Sequence, residues 1–160
     1  MPHSKDKTPW VSLISILNLS WLLLVFDLEG KSLWADELFT AEGASLPLAG
    51  VVQHTISDFH PPLYFLLVRL WSDWVGHSDF ALRWLSVAAA WLSLALLFRL
   101  GRRWGGFRVG LLGVALWGLS PLVILYGRMA RYYSLAALLV LAHRGWRCWA
   151  GSSSGEMIVG

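Results

Sequence analysis

Two adjacent carboxylates, Asp36 and Glu37, are the side chains in this sequence best suited to acid–base chemistry. A carboxylate held near a hydroxyl group can remove its proton while the oxygen attacks another atom. Neighbouring side chains point in different directions, so we expect one of the two to act as the base and the other to bind or orient. The alternative is a solvated pair in the first turn of a short helix, where acidic residues are favoured. Taken alone, the pair fits that alternative better, since functional acids are the minority.

Four basic residues are candidates for holding an anion: His60, Arg83, Arg128 and Arg131. Guanidinium groups match the geometry of a phosphate and carry a fixed charge. If this stretch is helical, Arg128 and Arg131 share one face of the helix, and both can address the same anion. His60 precedes two prolines that force an extended backbone, and it could donate a hydrogen bond to a phosphate at a membrane boundary. The alternatives are arginines that reach out to lipid phosphates and an exposed loop histidine without a role.

The composition is that of a membrane protein and excludes an ordinary soluble domain. Of the 160 residues, 56% are hydrophobic and 14% are charged, and the mean hydropathy is +0.56. The net charge of +3 comes from local arginine clusters, so we expect no nucleic-acid partner. Cys148 is the only cysteine in the sequence, which excludes an internal disulfide and a cysteine-based metal cluster. We predict no cofactor. The residues neither require nor exclude a divalent metal.

Four apolar stretches have about the length that a helix needs to cross a bilayer. We therefore predict an all-α, multi-pass transmembrane protein in which residues 1–160 form a single membrane domain. The predicted spans are residues 10–26, 82–100, 109–126 and 132–149. Residues 27–81 then form a long loop on the outer side.

The distribution of positive charge predicts which way the chain is oriented, because lysine and arginine are favoured on the cytoplasmic side. Lys5 and Lys7 place the N-terminus in the cytoplasm, and the arginine-rich loop 99–108 belongs on the same side. An even number of crossings must separate them, so residues 61–75 do not cross. We predict that they form an amphipathic helix along the outer membrane surface. Its apolar face comprises Leu63, Leu66, Leu67, Leu70 and Trp74.

Several short motifs follow one another along the chain. They are Trp34-Ala35-Asp36-Glu37, Asp58-Phe59-His60-Pro61-Pro62-Leu63-Tyr64, Phe80-Ala81-Leu82-Arg83-Trp84-Leu85-Ser86, Gly101-Arg102-Arg103, and Ser120-Pro121 followed by Ala130-Arg131-Tyr132-Tyr133-Ser134. This order resembles the bacterial family 39 and 83 glycosyltransferases, which are GT-C membrane enzymes related to protein O-mannosyltransferases and to the lipid A aminoarabinose transferase. The resemblance covers about residues 10–142.

The resemblance implies a multi-pass enzyme, expected in a bacterial inner membrane, that takes a sugar from a polyprenyl-phosphate donor. Transfer to an acceptor would occur at the non-cytoplasmic face, with Asp36 as the base and helices parallel to the membrane in the outer loop. The sugar and the acceptor, whether glycan, lipid or protein, are left open. Relatives often carry an acid where this chain has Met129, so a second carboxylate at that place is also open.

Relatives have more spans than the four predicted here, so we expect a truncated or frameshifted product that is inactive alone. A second class is a non-catalytic small membrane protein that binds lipid or partner helices through its glycine-rich stretch 105–118. A third is part of a transporter, for which charged groups in mid-span would be expected.

Overall fold

The computed structural model describes residues 8–153, which form seven helices and contain no strand. The helices are α1 (Thr8–Val25), α2 (Ala35–Ser45), α3 (Leu48–Ser57), α4 (Pro62–Val75), α5 (Asp79–Gly118), α6 (Pro121–Gly127) and α7 (Tyr133–Ser153). The predicted all-α class is confirmed for this part of the chain. Lys5 and Lys7, on which the predicted orientation partly depends, lie outside the described residues.

Helix α5 is a hairpin of two helical arms, residues 79–104 and 107–118. Gly105 and Gly106 have non-helical backbone angles, and the φ of +78° at Gly106 favours glycine. Beyond this turn the second arm returns along the first, because a Cβ added to Gly101 would lie 2.8 Å from the Cα of Gly110. The predicted spans 82–100 and 109–126 therefore fall on different arms. The predicted span 109–126 is not one continuous helix, since it breaks at Ser120 before Pro121 begins α6.

By length and apolar composition alone, α5 is the one helix among residues 8–153 that meets the requirement for crossing a membrane. The apolar stretch Pro9–Val25 of α1 is somewhat shorter. Because α5 turns back at its glycine pair, its whole length does not measure one crossing. The first arm, at ~1.5 Å per residue, is about 39 Å long and exceeds the ~30 Å hydrocarbon core. The number of four spans stays a prediction.

Large apolar side chains are exposed along several helices, an arrangement that is unfavourable in water and suits lipid. Examples are Leu22 on α1, Leu116 on α5, Leu122 on α6 and Val140 on α7. Between the helices, packing is specific: the Nε1 of Trp91 donates to the carbonyl oxygen of Leu17 at 3.2 Å, which joins α5 to α1. The exposed apolar surface therefore fits a bilayer environment, while specific contacts between helices hold the interior of the bundle together.

The loop predicted for residues 27–81 is built from α2, α3 and α4. The predicted helix 61–75 is confirmed as α4, and it has two apolar faces. Tyr64, Phe65 and Val68 are buried in the core that α4 forms with α2, α3 and α5. Four residues of the predicted apolar face, Leu63, Leu67, Leu70 and Trp74, lie on the exposed side, where Trp74 is 89% exposed. The fifth, Leu66, is partly buried against the core. Its position along a membrane surface stays a prediction.

Candidate active site

The acid pair lies in the first turn of α2, where Glu37 closes the beginning of the helix. Its Oε2 accepts a hydrogen bond from the backbone N–H of Trp34 at 3.1 Å. Such a reach back to the residue before the helix satisfies a donor that the helix itself leaves unpaired. Acidic residues in a first turn also interact favourably with the helix dipole. Local sequence therefore fixes where α2 starts, whereas the burial of Glu37 and the exposure of Asp36 follow from how α2 docks against the rest of the chain.

Glu37 is 1% exposed, and both of its oxygens are fully engaged. Oε1 accepts from Arg83 Nε at 2.9 Å and from the N–H of Ala130 at 2.8 Å, and Oε2 accepts from Arg83 Nη2 at 2.8 Å as well as from Trp34. Burial by itself would raise the pKa of this carboxyl group. The hydrogen bonds from Arg83, Ala130 and Trp34, together with the charge of Arg83, outweigh burial and hold the pKa below its ordinary value.

Arg83 uses all five of its N–H donors within the protein. Besides its bonds to Glu37, it donates to the carbonyl oxygens of Leu28 at 2.5 Å, Lys31 at 2.9 Å and Ser32 at 3.3 Å. Its side chain is 5% exposed. Arg83 therefore fastens the chain after α1 and the start of α2 onto α5. In this arrangement no donor of Arg83 is left for the phosphate that the sequence analysis assigned to it.

Asp36 is 60% exposed and lies beside the buried guanidinium of Arg131. Arg131 Nη1 donates to the backbone oxygen of Asp36 at 3.0 Å, and Nη2 is 4.0 Å from the Asp36 carboxylate. The Arg131 side chain is 6% exposed, and its Nε has no acceptor among the described residues. Burying a cation with such a loose ion pair costs free energy. The position of Arg131 beside Asp36 therefore indicates a role in the site.

His60 contacts Arg131 from the other side. Arg131 Nη2 lies 2.8 Å from His60 Nε2 and can only donate, so Nε2 accepts and the ring proton is on Nδ1. His60 Nδ1 is 3.1 Å from Asp58 Oδ2, but the angle is too bent for a hydrogen bond, so this contact is electrostatic. Asp36, Arg131, His60 and Asp58 thus form one connected group, which joins three of the predicted site residues.

A network of buried hydrogen bonds holds the turn that carries Arg131. Thr40 Oγ1 donates to the carbonyl oxygen of Ala130 at 2.7 Å, and Ser86 Oγ donates to that of Arg131 at 3.0 Å. The hydroxyl of Tyr64 is 2.8 Å from Ser86 Oγ. Burial of the Tyr64 hydroxyl raises its pKa, so the group remains a neutral hydrogen-bonding partner. Helices α2, α4 and α5 together thus fix the position of Arg131.

Arg128 lines a separate cavity of about 510 Å³ next to this group. Its Nη2 donates to the carbonyl oxygens of Phe26 at 2.5 Å and Asp27 at 2.9 Å. The chain is not helical between Gly127 and Tyr133, so the condition for Arg128 and Arg131 to share a helix face is not met. The cavity also contains Lys31, whereas Asp36, His60 and Arg131 are not part of its lining.

Lys31 is the cationic residue that the sequence analysis missed. A signal that could have found it is the position of Lys31 in the predicted outer loop 27–81, on the side of the membrane where a positive charge is disfavoured. Trp34 and Glu37 line the same cavity, so Asp36 lies in the chain between two of its lining residues. Within residues 8–153, no three histidine, cysteine or acidic side chains are grouped as metal ligands would be.

Comparison with known families yields one match. The sequence model of a family described as dolichyl-phosphate-mannose-protein mannosyltransferase matches residues 59–150, more than half of the chain. No curated protein and no solved structure matches this chain. The matched segment includes His60, Arg83, Arg128 and Arg131, and it begins after the acid pair.

Proposed function

The chain belongs to the dolichyl-phosphate-mannose-protein mannosyltransferase family, and on this basis we propose that it acts in transferring a sugar from a polyprenyl-phosphate donor to an acceptor hydroxyl. The reaction would take place at the non-cytoplasmic face of a multi-pass cell-membrane protein whose N-terminus is cytoplasmic. One observation carries the proposal: the exposed carboxylate of Asp36 is held against buried Arg131, beside a cavity lined by Lys31, Arg128 and the already paired Arg83.

Asp36 is the general base in this proposal. It takes the proton of the acceptor hydroxyl while the oxygen forms a bond to the anomeric carbon of the sugar. The bond from that carbon to the donor phosphate breaks, and the phosphate leaves with its electron pair. Attack from the face opposite the phosphate inverts the configuration at the anomeric carbon. The exposure of Asp36 supports this role, since a base must reach a substrate that arrives from outside.

Arg128 and Lys31 hold the donor phosphate in this proposal. Both line the cavity, and for Arg128 the described residues provide acceptors only at Nη2. Two cations near a leaving phosphate stabilise the charge that develops on it. A charge-assisted hydrogen bond from a guanidinium is also among the stronger contacts that a protein can offer a phosphate.

Three of the predicted site residues receive a positioning role instead of phosphate binding. Arg83 is saturated by Glu37 and by carbonyl oxygens, and together they hold the start of α2. His60 uses Nε2 as an acceptor for Arg131, so this nitrogen cannot donate to a phosphate at the same time. Arg131 in turn holds the backbone of Asp36. These contacts support the assignment of Asp36 as the base, because they hold the start of α2 in place before the substrate binds.

The alternative of a non-catalytic membrane protein was based on glycines that could contact partner helices. Within the described residues, Gly110, Gly113 and Gly118 of that stretch already pack against other parts of the chain, whereas Gly106 has open space around it. A Cβ on Gly110 would lie 2.8 Å from the carbonyl oxygen of Phe98, and one on Gly118 would lie 2.5 Å from Ser20 Oγ. The stretch therefore serves the hairpin and its contact with α1, and no observation favours a partner helix there.

Donor binding by the full chain in lipid vesicles tests the phosphate site. The probe is a radiolabelled polyprenyl-phosphate sugar, and the variant is Arg128→Gln. Loss of a charge-assisted hydrogen bond lowers the affinity about tenfold or more. The matched control is Arg108→Gln, which removes a charge from the hairpin turn and leaves binding unchanged. Equal affinity of Arg128→Gln and wild type contradicts the phosphate assignment.

Sugar transfer tests the base, and it is measured in membranes of the source cells, with a deletion strain as background. Asp36→Asn keeps the size of the side chain and removes its basicity. We expect transfer to fall about a hundredfold or more, with donor binding within about twofold of wild type. Glu42→Gln, an exposed acid on the same helix, is the control and keeps full transfer. Undiminished transfer by Asp36→Asn excludes this residue as the base.

A further inference from the structure

The end of the bundle at the α5 turn is strongly basic. Arg99 follows Arg83 by sixteen residues on the first arm of α5, a distance of about 24 Å at ~1.5 Å per residue. This end is therefore on the far side of the bundle from Asp36. Arg99, Arg102, Arg103 and Arg108 flank the turn in sequence. Arg144 and Arg147 lie on α7, next to residues that line a cavity together with Arg99 and Arg103.

These arginines have no carboxylate nearby in the chain. The sequence contains no aspartate or glutamate between Asp79 and Glu156. Among residues 8–153 every ion pair involves His60, Arg69, Arg83 or Arg131, so none balances the charge at this end. A counter-ion from solvent, from the lipid or from a bound molecule would balance this charge.

Two of the arginines share a cavity of about 330 Å³ between α5 and α7. Arg99 and Arg103 are four residues apart on α5 and so project on one face of the helix. The other walls are mainly apolar and include Leu96, Leu100, Leu141 and Trp146. The cavity thus combines two fixed cations with an apolar wall. An amphiphilic anion matches both parts, whereas a free hydrated anion matches only the cations.

We propose that this cavity binds one anionic phospholipid from the leaflet at the α5 turn. Its phosphate lies between the guanidinium groups of Arg99 and Arg103, and the first part of an acyl chain runs along the leucines. Arginine suits this role because its planar donors fit phosphate oxygens, and basic pockets between membrane helices are known to hold lipid headgroups. The lipid would tie α7 to α5 at the end opposite to the proposed chemistry.

The neighbouring arginines provide matched controls. Arg102 and Arg108 belong to the same basic end but are not part of the cavity lining. The guanidinium carbon of Arg102 lies 5.8 Å from the ring centroid of Trp10, on α1. Removing Arg102 and Arg108 changes the net charge as much as removing Arg99 and Arg103. Binding of a lipid in the cavity weakens only when Arg99 and Arg103 are removed. Diffuse attraction to the basic surface weakens equally when either pair is removed.

The test is native mass spectrometry of the detergent-purified full chain, titrated with phosphatidylglycerol. We expect one retained lipid in the wild type and an affinity lower by about tenfold or more in R99Q/R103Q. R102Q/R108Q stays within twofold of wild type. Ala142→Phe, at an exposed position on the cavity wall, fills the cavity without changing charge and also loses the lipid. Helicity measured by circular dichroism confirms that each variant is folded.

Three results would overturn the proposal. Equal losses in the two double variants would show diffuse attraction to a basic surface. Phosphatidylcholine bound as tightly as phosphatidylglycerol would show that the arginines do not select an anion. Binding of inorganic phosphate at millimolar concentration, with no binding of the lipid, would identify a site for a free anion. None of these results depends on sugar transfer, so the proposed function is tested separately.

Discussion

Replacing Glu37 by glutamine should destabilise the protein strongly, because the amide has one acceptor oxygen where the carboxylate has two. Whichever way the amide is turned, its NH₂ group faces two N–H donors: Arg83 Nε and the N–H of Ala130, or Arg83 Nη2 and the N–H of Trp34. Two hydrogen bonds become donor–donor contacts, and the negative charge opposite buried Arg83 is lost. Breaking one partner of a buried ion pair costs about 3–5 kcal/mol. We expect a loss of that size in the free energy of unfolding.

The assay is reversible unfolding in mixed detergent micelles, with helicity measured as sodium dodecyl sulfate is increased. Glu42→Gln is the matched control, since Glu42 is an exposed acid on the same helix. Its effect should stay within about 0.5 kcal/mol. Arg83→Gln completes a double-mutant cycle, in which the double variant should be more stable than the sum of the two single losses implies. If Glu37→Gln unfolds like Glu42→Gln, or if the cycle is additive, the reasoning is wrong.

The difference in unfolding free energy between wild type and Glu37→Gln should depend on pH with a definite sign. The native state holds the pKa of Glu37 below its ordinary value of 4.5, so the unfolded state binds the proton more readily. The stability that Glu37 contributes is therefore complete above that value and is lost as pH falls through the lower native pKa. The difference between wild type and Glu37→Gln should be constant above about pH 5.5 and should narrow below 4.5. A difference that changes between pH 7 and pH 6 contradicts this assignment.

Two further outcomes test the packing and the topology. Gly110→Ala should destabilise the hairpin by about 1–3 kcal/mol, because its Cβ meets a backbone carbonyl oxygen of the facing arm. Gly145→Ala is the control, because its Cβ meets nothing within 4 Å. It should gain about 0.5–1 kcal/mol of helix stability. Equal effects in the detergent assay would mean that the arms do not pack in this way. In a Cys148→Ser background, a membrane-impermeant maleimide should label Phe59→Cys in intact cells and Trp104→Cys only after permeabilisation. Labelling of Trp104→Cys in intact cells would reverse the proposed orientation.

Much of the secondary structure could be predicted because it depends on neighbours in the chain. The apolar run predicted for residues 10–26 is α1, Thr8–Val25, and the helix predicted for residues 61–75 is α4, Pro62–Val75. The predicted family is confirmed over residues 59–150. One local feature was underestimated, since Pro121 ends the second arm of α5 and begins α6 instead of lying within one helix.

The roles of the charged side chains could not be predicted in the same way. Glu37 and Arg83 are 46 residues apart, and their pairing depends on how α2 docks against α5. Arg131 is buried beside Asp36 because the turn before α7 is fastened to α2 and α5, while Arg128 points to a different cavity. A sequence shows that a charge is present, but its solvent exposure and partners follow from contacts between distant segments.

The sequence by itself determined that this is a helical chain of membrane-protein composition with a family-specific order of motifs, because composition, periodicity and turn residues act over a few positions. Only the tertiary structure decided which acid faces outward and which arginines are already paired. Helix packing buried Glu37 with Arg83 and left Asp36 exposed beside Arg131. The physical reason is that the cost of burying a charge is offset only by partners that folding brings together.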